Sequence, residues 1–100
     1  MIPLDPNLEK YIESYSSVED PVLSEITRYT YQHTVYPQMI TGHLQGIFLE
    51  LISRTISPSR ILEIGTFTGY GSICMAKGLT PGGKIITIEK NDELEELKAY

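Results

Sequence analysis

The sequence predicts an α/β protein in which helices cover a parallel sheet, and three features predict it. Apolar residues recur at helical spacing through the first half, two short β-rich runs occupy the second half, and a glycine-rich loop with a helix joins those runs. Two strands connected through a helix run parallel, with the crossover on one face of the sheet.

The elements follow in order. Asp5-Pro6 reads as an N-cap with proline in the first turn, and Leu8, Tyr11, Ile12 and Tyr15 form one stripe of a first helix. Asp20-Pro21 repeats the start signal, followed by Val22, Ile26, Tyr29 and His33 until Tyr36-Pro37 breaks the pattern. A third helix opens near Thr41 or Gly42, places Leu44, Ile47, Phe48, Leu51 and Ile52 on one face, and ends at Ser57-Pro58. Arg60 to Ile64 reads as a strand that feeds the loop GTFTGYG. Ser72 to Leu79 reads as a helix, ended by Gly78 and the turn Thr80-Pro81-Gly82-Gly83. Lys84 to Ile88 is the second strand, and Asn91 or Asp92 caps a charged helix, DELEELKAY, whose acidic run complements the helix dipole. Residues 1–57 thus read as a helical cap segment, and 58–100 as the first part of an α/β sheet domain.

Both strands are short and largely apolar, as in central strands buried on two faces. Two strands alone leave both edges open, so the sequence reads as a fragment of a larger α/β protein.

Composition narrows the function classes. The chain has 100 residues, 41% of them hydrophobic, and a formal charge of −5. Lys and Arg are not clustered, which argues against a nucleic-acid partner and against an anionic membrane surface. No run approaches the roughly 20 apolar residues of a bilayer span, and no secretory signal opens the chain. One cysteine, Cys74, forms no internal disulfide, which points to a reducing, cytoplasmic setting.

The chemistry concentrates in Glu63-Ile-Gly65-Thr-Phe-Thr-Gly69-Tyr-Gly71-Ser72 and in Glu89 at the end of the second strand. In a doubly wound sheet the ligand lies beyond the carboxyl ends of the strands, over the first strand-to-helix loop. Gly65 and Gly69 let the backbone turn tightly and approach a ligand, while N–H groups near Gly71 and Ser72 face an anionic group. Glu89 follows Gly65 by 24 positions, near the spacing at which a carboxylate accepts ribose hydroxyls. The glycine spacing G-x-x-x-G-x-G departs from the G-x-G-x-x-G of an NAD site, so an NAD-binding unit is disfavoured. Glu63 suits an ammonium, and S-adenosylmethionine (SAM) offers an ammonium, a carboxylate, a sulfonium and a free ribose diol.

The stretch Leu62-Glu63-Ile64-Gly65-Thr66-Phe67-Thr68-Gly69-Tyr70 resembles motif I of the cation-dependent O-methyltransferases, the group of caffeoyl-CoA and catechol O-methyltransferases. The resemblance extends upstream through Met39-Ile-Thr41-Gly-His-Leu-Gln-Gly46 and downstream through Gly83-Lys-Ile-Ile-Thr-Ile-Glu89. It implies a Rossmann-like SAM-methyltransferase fold, present in part as N-terminal helices plus the first βαβ unit. It also implies that Met39 and Thr41 close over the methionine moiety, that Glu63 reaches the amino group, and that Gly65 and Thr66 offer backbone contacts. Glu89 would hold the ribose. The family places serine directly after the tyrosine, where this chain has Gly71, so either Ser72 or the backbone N–H groups must meet the cofactor carboxylate.

The resemblance further implies a homodimer that methylates a small, phenolic acceptor with the help of a divalent cation such as Mg. The metal ligands and acceptor pocket lie on later strands, so no catalytic or metal-binding residue is expected within these 100 residues. A non-catalytic nucleoside-binding or assembly module is the alternative of a different class.

The remaining chemistry-bearing residues have plainer readings. His33 and His43 lack metal-ligand spacing and read as structural or solvent-facing. Cys74 sits between Ile73 and Met75 and reads as a small core residue. The tyrosines of the N-terminal half, Tyr11, Tyr15, Tyr29, Tyr31 and Tyr36, read as packing or interface residues.

Overall fold

Aspartate caps and prolines set the first two helices. In the computed structural model, which describes residues 4–90, α1 spans Pro6–Tyr15 and α2 spans Pro21–His33. The Asp5 and Asp20 carboxylates each accept the backbone N–H two residues on, at 2.8 Å, satisfying a donor that the first turn leaves without an intrahelical partner. Helix α2 stops three residues before Tyr36, and a short 3₁₀ turn, Pro37–Met39, leads toward α3, His43–Ile56. Gly42 caps α3 at φ +83°, a backbone angle that glycine adopts without the Cβ penalty.

Strand β1, Arg60–Ile64, pairs in parallel with β2, Lys84–Ile88, in the register Arg60↔Lys84 through Ile64↔Ile88. Between them runs α4, Tyr70–Ala76, capped by Gly69. This helix begins two residues earlier and ends three residues earlier than the sequence predicts. The left-handed Gly69 starts it before Ser72, and after Ala76 the Gly78 and Leu79 amides bond back three residues as the chain leaves the helix. The charged helix expected from Asn91 or Asp92 lies outside the described residues.

The small core contains Leu23, Ile40, Tyr70 and Cys74, with Ile26, Leu49, Phe67 and Ile73 packed around it. Helix α3 meets α4 through small residues. A Cβ on Gly46 would stand 2.8 Å from Cys74 Sγ and 2.9 Å from the Tyr70 ring, and Ser53 Oγ donates to the Met75 carbonyl at 2.5 Å. The predicted large apolar stripe of α3 is therefore not its packing face: Phe48 and Leu51 remain exposed, because the side that admits α4 is the narrow one. Helix α1 likewise buries none of its residues, and Leu8, Tyr11 and Tyr15 of its stripe are exposed.

Among the described residues the sheet is covered on one face, whereas the sequence reads both strands as central strands of a larger sheet buried on two faces. Ile61, Glu63 and Ile85 are partly buried on the α4 face, whereas Leu62 and Ile64 are 66% and 82% exposed on the other beside Ile86 and Ile88. Among the described residues nothing covers that second face. No helix among them is long and apolar enough to cross a membrane.

Candidate functional site

The sheet register builds the site. Glu63 is the partner of Thr87 across the β1–β2 pair, so both side chains share one face above the carboxyl end of the sheet. The Thr87 hydroxyl donates to Glu63 Oε1 at 2.7 Å, and the Ser72 hydroxyl of α4 donates to the same oxygen. Thr66 Oγ1 meets Thr87 Oγ1 at 2.5 Å. A carboxylate holding two such donors is fixed in orientation.

Its other oxygen points at the helix start. A Cβ placed on Gly71 would stand 3.1 Å from Glu63 Oε2 and 3.1 Å from Thr41 Oγ1, so these two polar groups converge over Gly71. Glycine leaves that space to them. At Gly65 and Gly69, φ is +97° and +90°, and a Cβ would meet nothing within 4 Å. The loop is bent as left-handed glycines allow and faces open space, the arrangement that lets backbone approach a ligand.

Glu89 closes the other end of the loop. Its Oε1 accepts the Phe67 N–H at 2.6 Å and its Oε2 accepts the Lys90 N–H at 3.0 Å. Phe67 adopts φ +48°, a left-handed angle uncommon for a residue with a Cβ, at the apex that Glu89 holds. Gly65 N–H bonds to the Ile88 carbonyl at 2.7 Å, which ties the loop to the end of β2.

Of the residues singled out in the sequence, Thr41, Glu63, Gly71 and Ser72 come together on one side of the loop, while Gly65, Thr66 and Glu89 line its base. Gly69 supplies the cap of α4. Met39 ends the 3₁₀ turn with 69% exposure. Ser72 is turned toward Glu63 rather than outward.

Sequence reasoning missed three residues. Thr87 is visible only once the strand register is known. Tyr70 is 2% exposed, and its hydroxyl donates to Glu19 at the entry to α2. Burial and the neighbouring Glu19 carboxylate push the phenol far above its ordinary range. Thr30, fully buried on α2, meets Thr68 of the loop at 2.9 Å. Neither contact leaves a local signal, since each joins residues more than 35 positions apart.

The histidines and the cysteine are structural. The His43 Nε2 lies 2.6 Å from the Ser17 carbonyl, and the His33 ring stacks on Tyr29 with centroids 4.2 Å apart. Cys74 is buried in the core, where desolvation pushes its thiol up, away from the reactive thiolate. Among the described residues, no group of three or more His, Cys, Asp and Glu side chains could hold a metal ion.

With the geometry in place, comparison with known proteins decides the family. The sequence model described as O-methyltransferase matches residues 13–100. The chain belongs to the O-methyltransferase family. Within that family it is 31% identical over 87 residues to the catechol O-methyltransferase of Mycobacterium tuberculosis, covering 87% of this chain and 39% of that protein. It is 33% identical over 79 residues to caffeoyl-CoA O-methyltransferase 2 of Petunia hybrida, covering 79% of this chain and 32% of that protein.

Solved family members show the same fold. An O-methyltransferase of tomaymycin synthesis from Streptomyces achromogenes, solved with SAM, superposes with a TM-score of 0.75 at 33% identity, over 92% of this chain and 44% of that one. The Bacillus cereus O-methyltransferase, solved with S-adenosylhomocysteine (SAH), gives 0.73 at 25% identity, over 92% and 45%. The architecture is therefore part of the Rossmann-like methyltransferase fold. The chain spans about two fifths of the length of the M. tuberculosis relative.

Proposed function

We propose that this chain carries the cofactor-holding part of a SAM-dependent O-methyltransferase that methylates a hydroxyl of a small, catechol-like or other phenolic acceptor. The observation that carries this reading is the pair of carboxylates, Glu63 and Glu89, fixed on either side of an open glycine loop.

The residues fit the cofactor. Glu63, held by Thr87 and Ser72, offers a negative charge to an ammonium, and Thr41 beside it adds a hydroxyl. Glu89, which holds the loop at Phe67, presents a carboxylate, the acceptor that ribose hydroxyls suit. Gly65, Thr66, Gly69 and Gly71 leave the backbone of the loop and helix start accessible. Met39, well exposed at the end of its turn, is free of the core to lie over the methionine end. When bound, SAM supplies a methyl group on a sulfonium, and the chain's own task is to hold and orient it. The names of the relatives, catechol and caffeoyl-CoA O-methyltransferases, support a phenolic acceptor.

A divalent cation, a homodimer and a cytoplasmic setting complete the proposal. The described residues offer no cluster of His, Cys, Asp and Glu side chains that fits the cation.

Two assays test the reading in the intact protein. Calorimetry should show binding of SAM and SAH, and catechol should be methylated at the expense of SAM. SAH binding without turnover on any phenol would support a non-catalytic nucleoside-binding module instead. No binding of either nucleoside would contradict the proposal.

A further inference from the structure

Helix α2 lies outside the sheet and holds none of the residues proposed to touch the cofactor, yet it is tied to the glycine loop and its helix at three points. Near its start, Glu19 accepts the Tyr70 hydroxyl from the first turn of α4. Asp20, while capping α2, stands 3.7 Å from Lys77 Nζ just past the end of α4. Farther along, Thr30 Oγ1 meets Thr68 Oγ1 within the loop at 2.9 Å, both side chains being buried.

We infer that Glu19 and Tyr70 form a latch through which α2 sets the conformation of the cofactor loop, making both of them positioning residues for the cofactor. Three physical points support it. The Tyr70 ring is fixed in its slot by Gly46 on one side and the core on the other, so its hydroxyl reaches Glu19 without freedom to swing. Glu19 is itself held, because Ser24 Oγ donates to its Oε1 at 2.6 Å. The tyrosine stays protonated across the physiological range and remains a donor. A buried hydroxyl that loses its acceptor is costly, so the latch resists opening. Between Glu89 on Phe67 and Glu19 on Tyr70, the four residues from Phe67 to Tyr70 are pinned at both ends. Thr68 is held in the middle by Thr30.

The inference rests on the reading of the loop as a SAM site, and the test separates the two. In the intact protein, SAH affinity, melting temperature and hydrogen exchange of the amides from Phe67 to Gly71 are measured for Glu19→Ala, Glu19→Gln, Tyr70→Phe and the Glu19→Ala/Tyr70→Phe pair. Glu19→Ala should weaken SAH binding about fivefold, the size expected of coupling through a positioning contact, and speed exchange of the loop amides. Glu19→Gln keeps an acceptor oxygen and should restore both. Tyr70→Phe should add little to Glu19→Ala, since both remove the same bond. If Glu19→Ala lowers the melting temperature but leaves SAH affinity and loop exchange unchanged, the latch only stabilises and the inference is wrong. If the unmodified protein binds no SAH, the cofactor reading fails and loop exchange alone judges the latch. Faster exchange in Glu19→Ala would then support it, and unchanged exchange would overturn it.

Discussion

Glu89 Oε1 accepts the Phe67 amide N–H at 2.6 Å across 22 positions of sequence, so the residue proposed to hold the ribose also holds the left-handed apex of the glycine loop. One side chain then has two duties. Glu89→Ala should weaken SAH binding by about 1–3 kcal/mol, the range for hydrogen bonds to a charged acceptor together with the unpaired donor left behind. Glu89→Gln keeps an oxygen for the Phe67 N–H and should lose less. Calorimetric titration checks both, and unchanged affinity in Glu89→Ala would remove the residue from the site.

Ser72 donates its hydroxyl to the Glu63 carboxylate, so its effect on the cofactor should pass through Glu63. Ser72→Ala should cost about 0.5–1.5 kcal/mol of SAH affinity in the native background and almost nothing when Glu63 is already alanine. Equal losses in both backgrounds would show that Ser72 meets the cofactor directly.

The α3–α4 crossing depends on Gly78. A Cβ there would stand 2.3 Å from the Ser53 carbonyl carbon and 2.5 Å from the Arg54 nitrogen, and backbone does not step aside as a flexible side chain can. Gly78→Ala should destabilise the fold by about 1–3 kcal/mol, as overpacking does. Denaturant unfolding measures it, whereas Gly82→Ala, with open space around its Cβ position, tests only the strain of a left-handed backbone.

Stability should fall in alkali through two buried groups. Cys74 and Tyr70 both have folded pKa values raised by burial, so each protonated group contributes stability that is complete below its unfolded pKa. As pH rises past about 8.5 and then past about 10, the unfolded thiol and phenol ionise first and draw the equilibrium toward unfolding. Melting temperatures measured from pH 7 to 11 should decline over this window. The decline should be shallower in Cys74→Ala and Tyr70→Phe, each compared with its own value at pH 7.

Much of the fold was legible locally. Asp5-Pro6 and Asp20-Pro21 announced their helices because capping and proline act within one turn, and the strands showed as short apolar runs before and after a glycine loop. The helix ends were less legible. Gly69, read as loop, is the residue whose left-handed angle starts α4. The face on which α3 packs was hidden because Gly46 and Ser53 carry no hydrophobic signal, although their smallness is what lets α4 approach. In the site, the carboxylates Glu63 and Glu89 stood out by spacing from the glycines. Thr87, Thr30 and Glu19 did not, since strand register and packing between distant segments bring them in.

The most direct measurement of the central claim is the affinity of the intact protein for SAH and for NAD by calorimetry, repeated with Glu63→Ala and Glu89→Ala combined. SAH should bind, NAD should compete poorly, and the double substitution should abolish measurable SAH binding while the protein remains folded. NAD binding more tightly than SAH, or SAH binding equally well to the folded double variant, would contradict the account.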